Sequence, residues 1–262
     1  MVDKSGQPQA PLGKSAFHVF DNGEERPVES PITVDAPVSL AFLIDTSGST
    51  VGNRDTVTSM ATAVIQALPS GSEVMAVLFA EQAFIDLPFT PVEPAPLSFL
   101  SRLDSRGPTK FYNSLVATED YIAANAHNRK RALVILSDGN DNDSNINLQQ
   151  TLRRIESEPP GAPTIYFVDM PGSRAKGIEK RHSRRVASLV ISVCGGLAIV
   201  PDKHEDAASL SARITALLRS QYVLTFTAAG AAPDDKFRKL EVRADPASLE
   251  AHAVAGYFPQ MR

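Results

Sequence analysis

The strongest constraint on the fold of this chain is a set of unbroken apolar runs, each of strand length. They are "VSLAFLID" (38–45), "EVMAVLFA" (73–80), "RALVILSD" (131–138), "PTIYFVDM" (163–170) and "GLAIV" (196–200). A strand is apolar on both faces only where both faces are covered, which points to a mostly parallel sheet between two layers of helix. The intervening segments carry helical spacing. Val57, Met60, Val64 and Leu68 recur every three or four residues, as do Val186, Leu189, Val190 and Val193, and Leu210, Ile214, Leu217 and Leu218. "AFIDLPFT" (83–90) follows the 73–80 run too soon for a crossover helix, so an antiparallel hairpin partner at the sheet edge is expected there.

The two ends read differently. "AFHVFDNGEERPV" alternates Phe17 and Val19 with polar neighbours and turns at Asp21-Asn22-Gly23, a strand and hairpin signal. After residue 220, "QYVLTFTA", "KFRKLEVRA" and "HAVAGYF" read as alternating strands joined by the turn-rich "AGAAPDDK" and "DPASLE". The expected organisation is an N-terminal β segment (1–37), a Rossmann-like α/β domain (38–219) and a C-terminal β segment (220–262). The two end segments are expected to join as one small β unit.

Composition excludes several classes. The chain has 262 residues, enough for a sizeable core, and a formal net charge of -4, which offers no global field for nucleic acid. Its apolar runs fall well short of the roughly 20 residues that a membrane helix needs. A single cysteine, Cys194, rules out an intrachain disulfide and a C-x-x-C metal knuckle. The polar start "VDKSGQPQAPLGKS" contains no apolar signal core, so either a cytoplasmic address or a removed export signal is expected.

In a parallel α/β sheet, ligands bind beyond the carboxyl ends of the strands. Asp45 and Asp138 each close an apolar run there. Burying two converging carboxylates is costly unless a cation compensates them. Ser47 and Ser49 add neutral oxygens in the same loop, "DTSGS", where Gly48 allows a tight bend. Oxygen-only ligands suit Mg²⁺, Mn²⁺ or Ca²⁺ rather than zinc.

"DTSGS" after an apolar strand resembles the D-x-S-x-S motif of von Willebrand factor type A domains, which opens their metal-ion-dependent adhesion site. "RGPTKFYNSL" resembles the family's threonine loop before a helix and supplies Thr109, and "LSDG" supplies Asp138. The resemblance implies that Ser47 and Ser49 bind the metal through their hydroxyls, with Thr109 direct or through water. It implies that Asp45 and Asp138 act mainly through waters and hydrogen bonds. An acidic residue of a protein partner then fills the exchangeable position of a Mg²⁺ site, Mn²⁺ and Ca²⁺ being alternatives. The flanks resemble those of the bacterial, acidobacterial VWFA-related proteins, whose members are generally exported; this implies an extracytoplasmic address. Two departures stand out: Asn113 replaces a common acid, and Lys110, expected to face solvent, follows the metal threonine. Partner specificity is expected from the loops Gly52 to Asp55, Ser105 to Tyr112 and Gly139 to Asn145. Self-association through an acid of a second copy is also compatible with this reading.

Blander readings compete. "DTSGST" alone is also a helix N-cap pattern. A haloacid-dehalogenase-type hydrolase would need a second acid two residues after Asp45, where Ser47 stands. A structural domain with a vestigial metal site is the third alternative. "SDGNDNDSN" (137–145) fails as a calcium loop. Counted from Asp138, it has Asp143 and Gln149 at its sixth and twelfth positions, where glycine and glutamate are needed. It is expected to be a polar turn. Arg174, Lys176, Lys180, Arg181, Arg184 and Arg185 lack interleaved aromatics and read as a solvated face, not a nucleic-acid site. Cys194 before Gly195 reads as a buried small residue at a helix end. His18, His127, His182, His204 and His252 show no ligand spacing and are expected at the surface.

Overall fold

The apolar runs become the central sheet of the computed structural model, which describes residues 2–3, 12–29, 31, 35–103, 107–157, 161–172, 175–202, 205–228 and 236–259. In chain order the elements begin with β1 (Val2–Asp3), β2 (Phe17–Asp21) and β3 (Glu24–Arg26). The α/β region follows with β4 (Val38–Asp45), α1 (Arg54–Gln66), β5 (Glu73–Phe79), β6 (Ala83–Pro91) and α2 (Phe111–Asn125). It continues with β7 (Lys130–Ser137), α3 (Leu148–Glu156), β8 (Thr164–Asp169), α4 (Gly177–Cys194), β9 (Gly196–Ile199) and α5 (Ala207–Arg219). Three short strands close the chain: β10 (Arg238–Ala244), β11 (Leu249–Glu250) and β12 (Gly256–Tyr257).

The six-stranded sheet has the order β6-β5-β4-β7-β8-β9. All its neighbours are parallel except β6, which pairs antiparallel with β5 as the expected edge hairpin. Every residue of β4 and β5 is buried. Successive strand residues face opposite layers. Leu40, Phe42 and Ile44 pack with α1 and α5 through Met60, Val64, Leu210 and Ile214. Ala41 and Leu43 pack with α2 and α4 through Phe111, Leu115, Val186 and Val190. Leu68 lies beyond the end of α1 yet still packs against the first layer. Glycine at 196 is required by close approach: with φ at +101°, a Cβ there would sit 1.9 Å from the Ile165 carbonyl oxygen.

The chain steps from β4 to β5 on one side, then returns past β4 to place β7 on the other. The carboxyl ends of β4 and β7 therefore flank the point where strand order reverses, which is where such sheets hold ligands.

The chain ends meet, as expected. β10 pairs antiparallel with β2, giving a small sheet of order β12-β10-β2-β3, and β1 pairs with β11. The β2–β3 turn has Asn22 at φ 50° and Gly23 at φ 84°, the backbone that an Asn-Gly hairpin favours. Asp21 is fully buried and accepts two hydrogen bonds from the Arg238 guanidinium, at 2.9 and 2.8 Å. "QYVLTFTA" departs from expectation: among the described residues it forms isolated bridges, with Phe226 on Val28, rather than a continuous strand, and the Glu29 N–H donates to the Thr225 carbonyl at 2.8 Å. Tyr222, Leu224 and Phe226 pack on Phe17, Val19 and Val28. In "HAVAGYF" only Gly256 and Tyr257 pair. The turn at 229–235, Arg174, His204, Ser105 and Arg106 lie outside the described residues. A cavity of about 640 Å³, lined by Tyr166, Leu217, Tyr222 and Val242 among others, separates the small sheet from the amino end of the large one.

That amino end carries a well-satisfied acid. Glu73 accepts from Ser39 Oγ at 2.5 Å, from the His127 backbone N–H at 2.7 Å and pairs with His127 Nδ1 at 2.8 Å. Burial pushes its carboxyl up, but the hydrogen bonds from Ser39 and His127 outweigh this and hold it below its ordinary value.

Candidate metal centre

Asp45 is the last residue of β4 and is 5% exposed. Its Oδ1 accepts the Ser47 backbone N–H at 2.9 Å and its Oδ2 accepts the Ser137 hydroxyl at 2.8 Å. The four hydroxyls after it divide into two jobs. Thr46 Oγ1 donates to the Phe79 carbonyl at 3.0 Å, and Thr50 Oγ1 to the carbonyls of Asp45 and Ser47 at 2.9 and 3.0 Å. Those bonds pin the loop backbone to β5 and to itself. Ser47 and Ser49 are left with hydroxyls 3.1 Å apart and bonded to one another. Ser47 is buried and Ser49 faces solvent.

β7 ends at Ser137, so Asp138 is the first loop residue rather than the last strand residue. It is 5% exposed, and its Oδ1 accepts the Asn140 N–H at 3.1 Å. Ser137 Oγ also accepts the Gly139 N–H at 3.0 Å, tying this loop to Asp45 through one hydroxyl.

Thr109 is 4% exposed and precedes α2. Its N–H donates to Asn142 Oδ1 at 2.7 Å, and the Asn142 N–H returns to the Thr109 carbonyl at 3.0 Å. Tyr112 N–H donates to Asp141 Oδ2 at 2.9 Å, and Lys110 N–H to the Ala80 carbonyl at 2.9 Å. The segment 139–145 is thus more than the polar turn expected of it: it latches the threonine loop. Asn113 serves the same latch, with its N–H on Ser144 Oγ at 3.1 Å and its Oδ1 accepting from Asn145 N–H at 2.9 Å. Lys110 is half-buried rather than fully in solvent, with its Nζ on Asp143 at 3.2 Å.

Asp169, at the end of β8, went unnoticed in the sequence although it closes an apolar run just as Asp45 does. It is 3% exposed, accepts the Ser183 hydroxyl and lies 3.7 Å from Arg184 Nε. The 170–172 segment braces the serine loop. Asn53 Nδ2 donates to the Met170 carbonyl at 3.0 Å, and a Cβ on Gly172 would collide with the Ser49 carbonyl oxygen at 2.3 Å.

The electrostatics ask for a cation. Burial pushes the Asp45 carboxyl up to about 6; hydrogen bonds from Ser47 and Ser137 offset part of that, and the negative charge of Asp138 adds to it. Among the described residues, no cluster of three or more His, Cys, Asp or Glu forms a metal site. The donors expected from the sequence, two carboxylates and three hydroxyls, are of the kind that suits a hard divalent cation; the backbone hydrogen bonds of Thr109 run to Asn142 rather than to the other four residues. The remaining sequence expectations sort simply. Cys194 is buried before Gly195 at φ 72°, Arg184 and Arg185 are exposed, and His127, His182 and His252 are at the surface. His18 is half-buried between Glu25 and Asp245.

With this geometry, comparison with known proteins is direct. The profile of the von Willebrand factor type A domain matches residues 40–140, a span that contains all five candidate residues. The chain carries a von Willebrand factor type A domain. Solved structures share its fold. A von Willebrand factor type A protein from Catenulispora acidiphila aligns with a TM-score of 0.53 at 17% identity, over 82% of this chain and 50% of that one. Manganese-loaded TRAP protein of Plasmodium vivax aligns at 0.52 and 14% identity, over 86% of this chain and 81% of that one. The D319A mutant of the PilB minor pilin from Streptococcus sanguinis aligns at 0.56 and 12% identity, over 70% and 62%. The chain thus spans between half and about four-fifths of the length of these relatives. No curated protein matches it.

Proposed function

We propose that this von Willebrand factor type A domain is a non-enzymatic, metal-dependent binding module that captures an acidic residue of a protein partner. The observation carrying this reading is the pair of buried carboxylates, Asp45 and Asp138, at the strand-order reversal, with the Ser47 and Ser49 hydroxyls 3.1 Å apart in the loop that follows Asp45. Ser47, Ser49 and Thr109 would hold Mg²⁺, with Mn²⁺ or Ca²⁺ as substitutes, and Asp45 and Asp138 would orient its waters. A bound divalent cation supplies a Lewis-acidic position that a partner's Asp or Glu can complete. The manganese named for the TRAP relative is in keeping with this choice of ion.

The chain's own residues do the positioning. Ser137 and the Ser47 N–H aim Asp45, and Thr46 and Thr50 hold the serine loop. Asn142 and Asp141 hold the threonine loop. Hydrolase chemistry of the haloacid-dehalogenase kind finds no general acid, because Ser47 stands two residues beyond Asp45. Residues 38–219 form the binding unit in this reading, and the segments 1–37 and 220–262 clasp its amino end. The address is extracytoplasmic, in keeping with the pilin named among the relatives. No described helix is long and apolar enough to cross a membrane.

The test is binding of a fluorescent serine-glycine peptide carrying a single Glu, followed by anisotropy in Mg²⁺ and in chelator. Saturable binding that chelator abolishes is expected. Binding indifferent to chelator would overturn the metal-dependent reading.

A further inference from the structure

Lys176, just before α4, and Lys180, Arg181, Arg184 and Arg185 in its first half stand against a single acid, Glu179, in a chain whose net charge is -4. All but Ser183 of residues 180–185 are exposed. Among the described residues, no acidic side chain lies within 4 Å of Lys180, Arg181 or Arg185; Arg184 alone reaches one, Asp169. Lys180 and Arg181 sit where the first turn ends, and positive charge there opposes the helix dipole. Folding alone therefore gives these cations no role.

Their place in the fold is informative. α4 leaves the carboxyl end of the sheet, where Met170 N–H bonds the Ser137 carbonyl at 3.0 Å and Gly172 packs on the serine loop. Asp169, which Arg184 approaches, is paired in register with Ser137, and the charge of Asp138 acts on it. Arg181, Arg184 and Arg185 share a face at three- and four-residue spacing. At 1.5 Å rise per residue, Lys180 and Arg181 stand roughly 5 Å farther toward the loop side than Arg184. The basic face thus starts at the carboxyl end of the sheet, on the side of Asp169 and the strand that precedes Asp138.

We infer that the partner segment is a run of acidic residues, one completing the metal site and its neighbours lying along the exposed cations of α4. The inference rests on the metal-dependent reading above. An acidic protein segment fits better than nucleic acid because the adjoining site takes a carboxylate and no aromatic interleaves the cations for base stacking. Ile178, 73% exposed among the cations, makes an anionic bilayer the other surface to test.

Two labelled peptides of equal length, one with a single Glu and one with five consecutive Glu, are titrated in Mg²⁺ at low salt. Wild type is expected to bind the five-Glu peptide about tenfold more tightly, on the scale of a few surface ion pairs. Lys180→Glu/Arg181→Glu/Arg185→Glu is expected to erase that advantage while lowering the single-Glu affinity much less than the five-Glu affinity; the sites are exposed, and circular dichroism confirms the fold. Equal affinities in wild type, or an advantage that survives the reversal, overturn the inference while leaving metal capture intact. An advantage that survives chelator but not the reversal overturns metal capture instead. A DNA oligonucleotide or phosphatidylglycerol vesicles binding as tightly as the five-Glu peptide, with the same dependence on these three residues, overturns the acidic-segment assignment.

Discussion

Asp45 and Glu73 are buried carboxylates at opposite ends of the same paired strands, and their surroundings differ. Glu73, at the amino end, is met by Ser39 and by both the backbone and ring of His127, and its carboxyl is held low. Asp45, at the carboxyl end, has two donors, a like charge nearby and a carboxyl pushed up to about 6 by burial. Both positions place a charge in a poorly solvated setting; the hydrogen bonds outweigh burial at Glu73, whereas at Asp45 burial and the charge of Asp138 outweigh them. An acid answered internally stabilises the fold. An acid left with a like-charged neighbour is a place where something from outside binds.

The largest effect should come from the satisfied end. Glu73→Ala removes the acceptor of three hydrogen bonds and is expected to destabilise the domain by about 3 kcal/mol in denaturant unfolding, with Mg²⁺ affinity unchanged. Because folding lowers the Glu73 pKa, its stabilisation is present above the ordinary value of 4.5 and is lost as pH falls through the folded value. The stability gap between wild type and Glu73→Gln should therefore be full at pH 7 and close on acidification below about 4. A gap that widened in acid would reverse the assignment.

At the other end the ion should stabilise. Mg²⁺ at a hundred times its dissociation constant is expected to add about 2.7 kcal/mol to unfolding free energy in wild type and nothing in Ser47→Ala/Ser49→Ala. Chelator should leave the far-ultraviolet helix signal intact, since the sheet and its two apolar layers supply the buried area. In chelator, Asp45→Asn should match or exceed wild-type stability at pH 7 by up to about 1 kcal/mol, because it removes a charge whose burial is uncompensated. A loss as large as that of Glu73→Ala would erase the contrast between the ends.

The smallest effect concerns the latch. Asn142→Ala frees the Thr109 loop and should weaken Mg²⁺ binding about fivefold while changing stability by less than about 1 kcal/mol. Unchanged affinity would mean that the remaining anchors, Lys110 on Ala80 and Tyr112 on Asp141, suffice to place Thr109.

Much of this was legible in the chain. The strands of the large sheet declared themselves because burial on both faces leaves no room for polar residues, and Asn22-Gly23 announced its hairpin through backbone preference. The five candidate residues stand out in the sequence by motif spacing: Asp45 closes β4, Ser47 and Ser49 follow it in the loop, Thr109 precedes α2 and Asp138 follows β7. What stayed hidden depends on contacts between distant segments. Glu73 opens a strand like any surface acid, and only the fold brings Ser39 and His127 to it. Asp141 and Asn142 read as turn formers until the threonine loop lies across them. "QYVLTFTA" alternates like a strand, but its aromatic side chains join the β2 core while its backbone, among the described residues, makes isolated bridges rather than a continuous strand. Asp169 ends its apolar run in the same way as Asp45, a signal the sequence does carry.

The most direct test of the central claim is calorimetric titration of Mg²⁺ into wild type and into Ser47→Ala/Ser49→Ala, both shown folded by circular dichroism. A saturable one-to-one heat in wild type that is absent from the variant is the predicted result. Identical titrations, whether both null or both saturable, would contradict a metal centre built on Ser47 and Ser49.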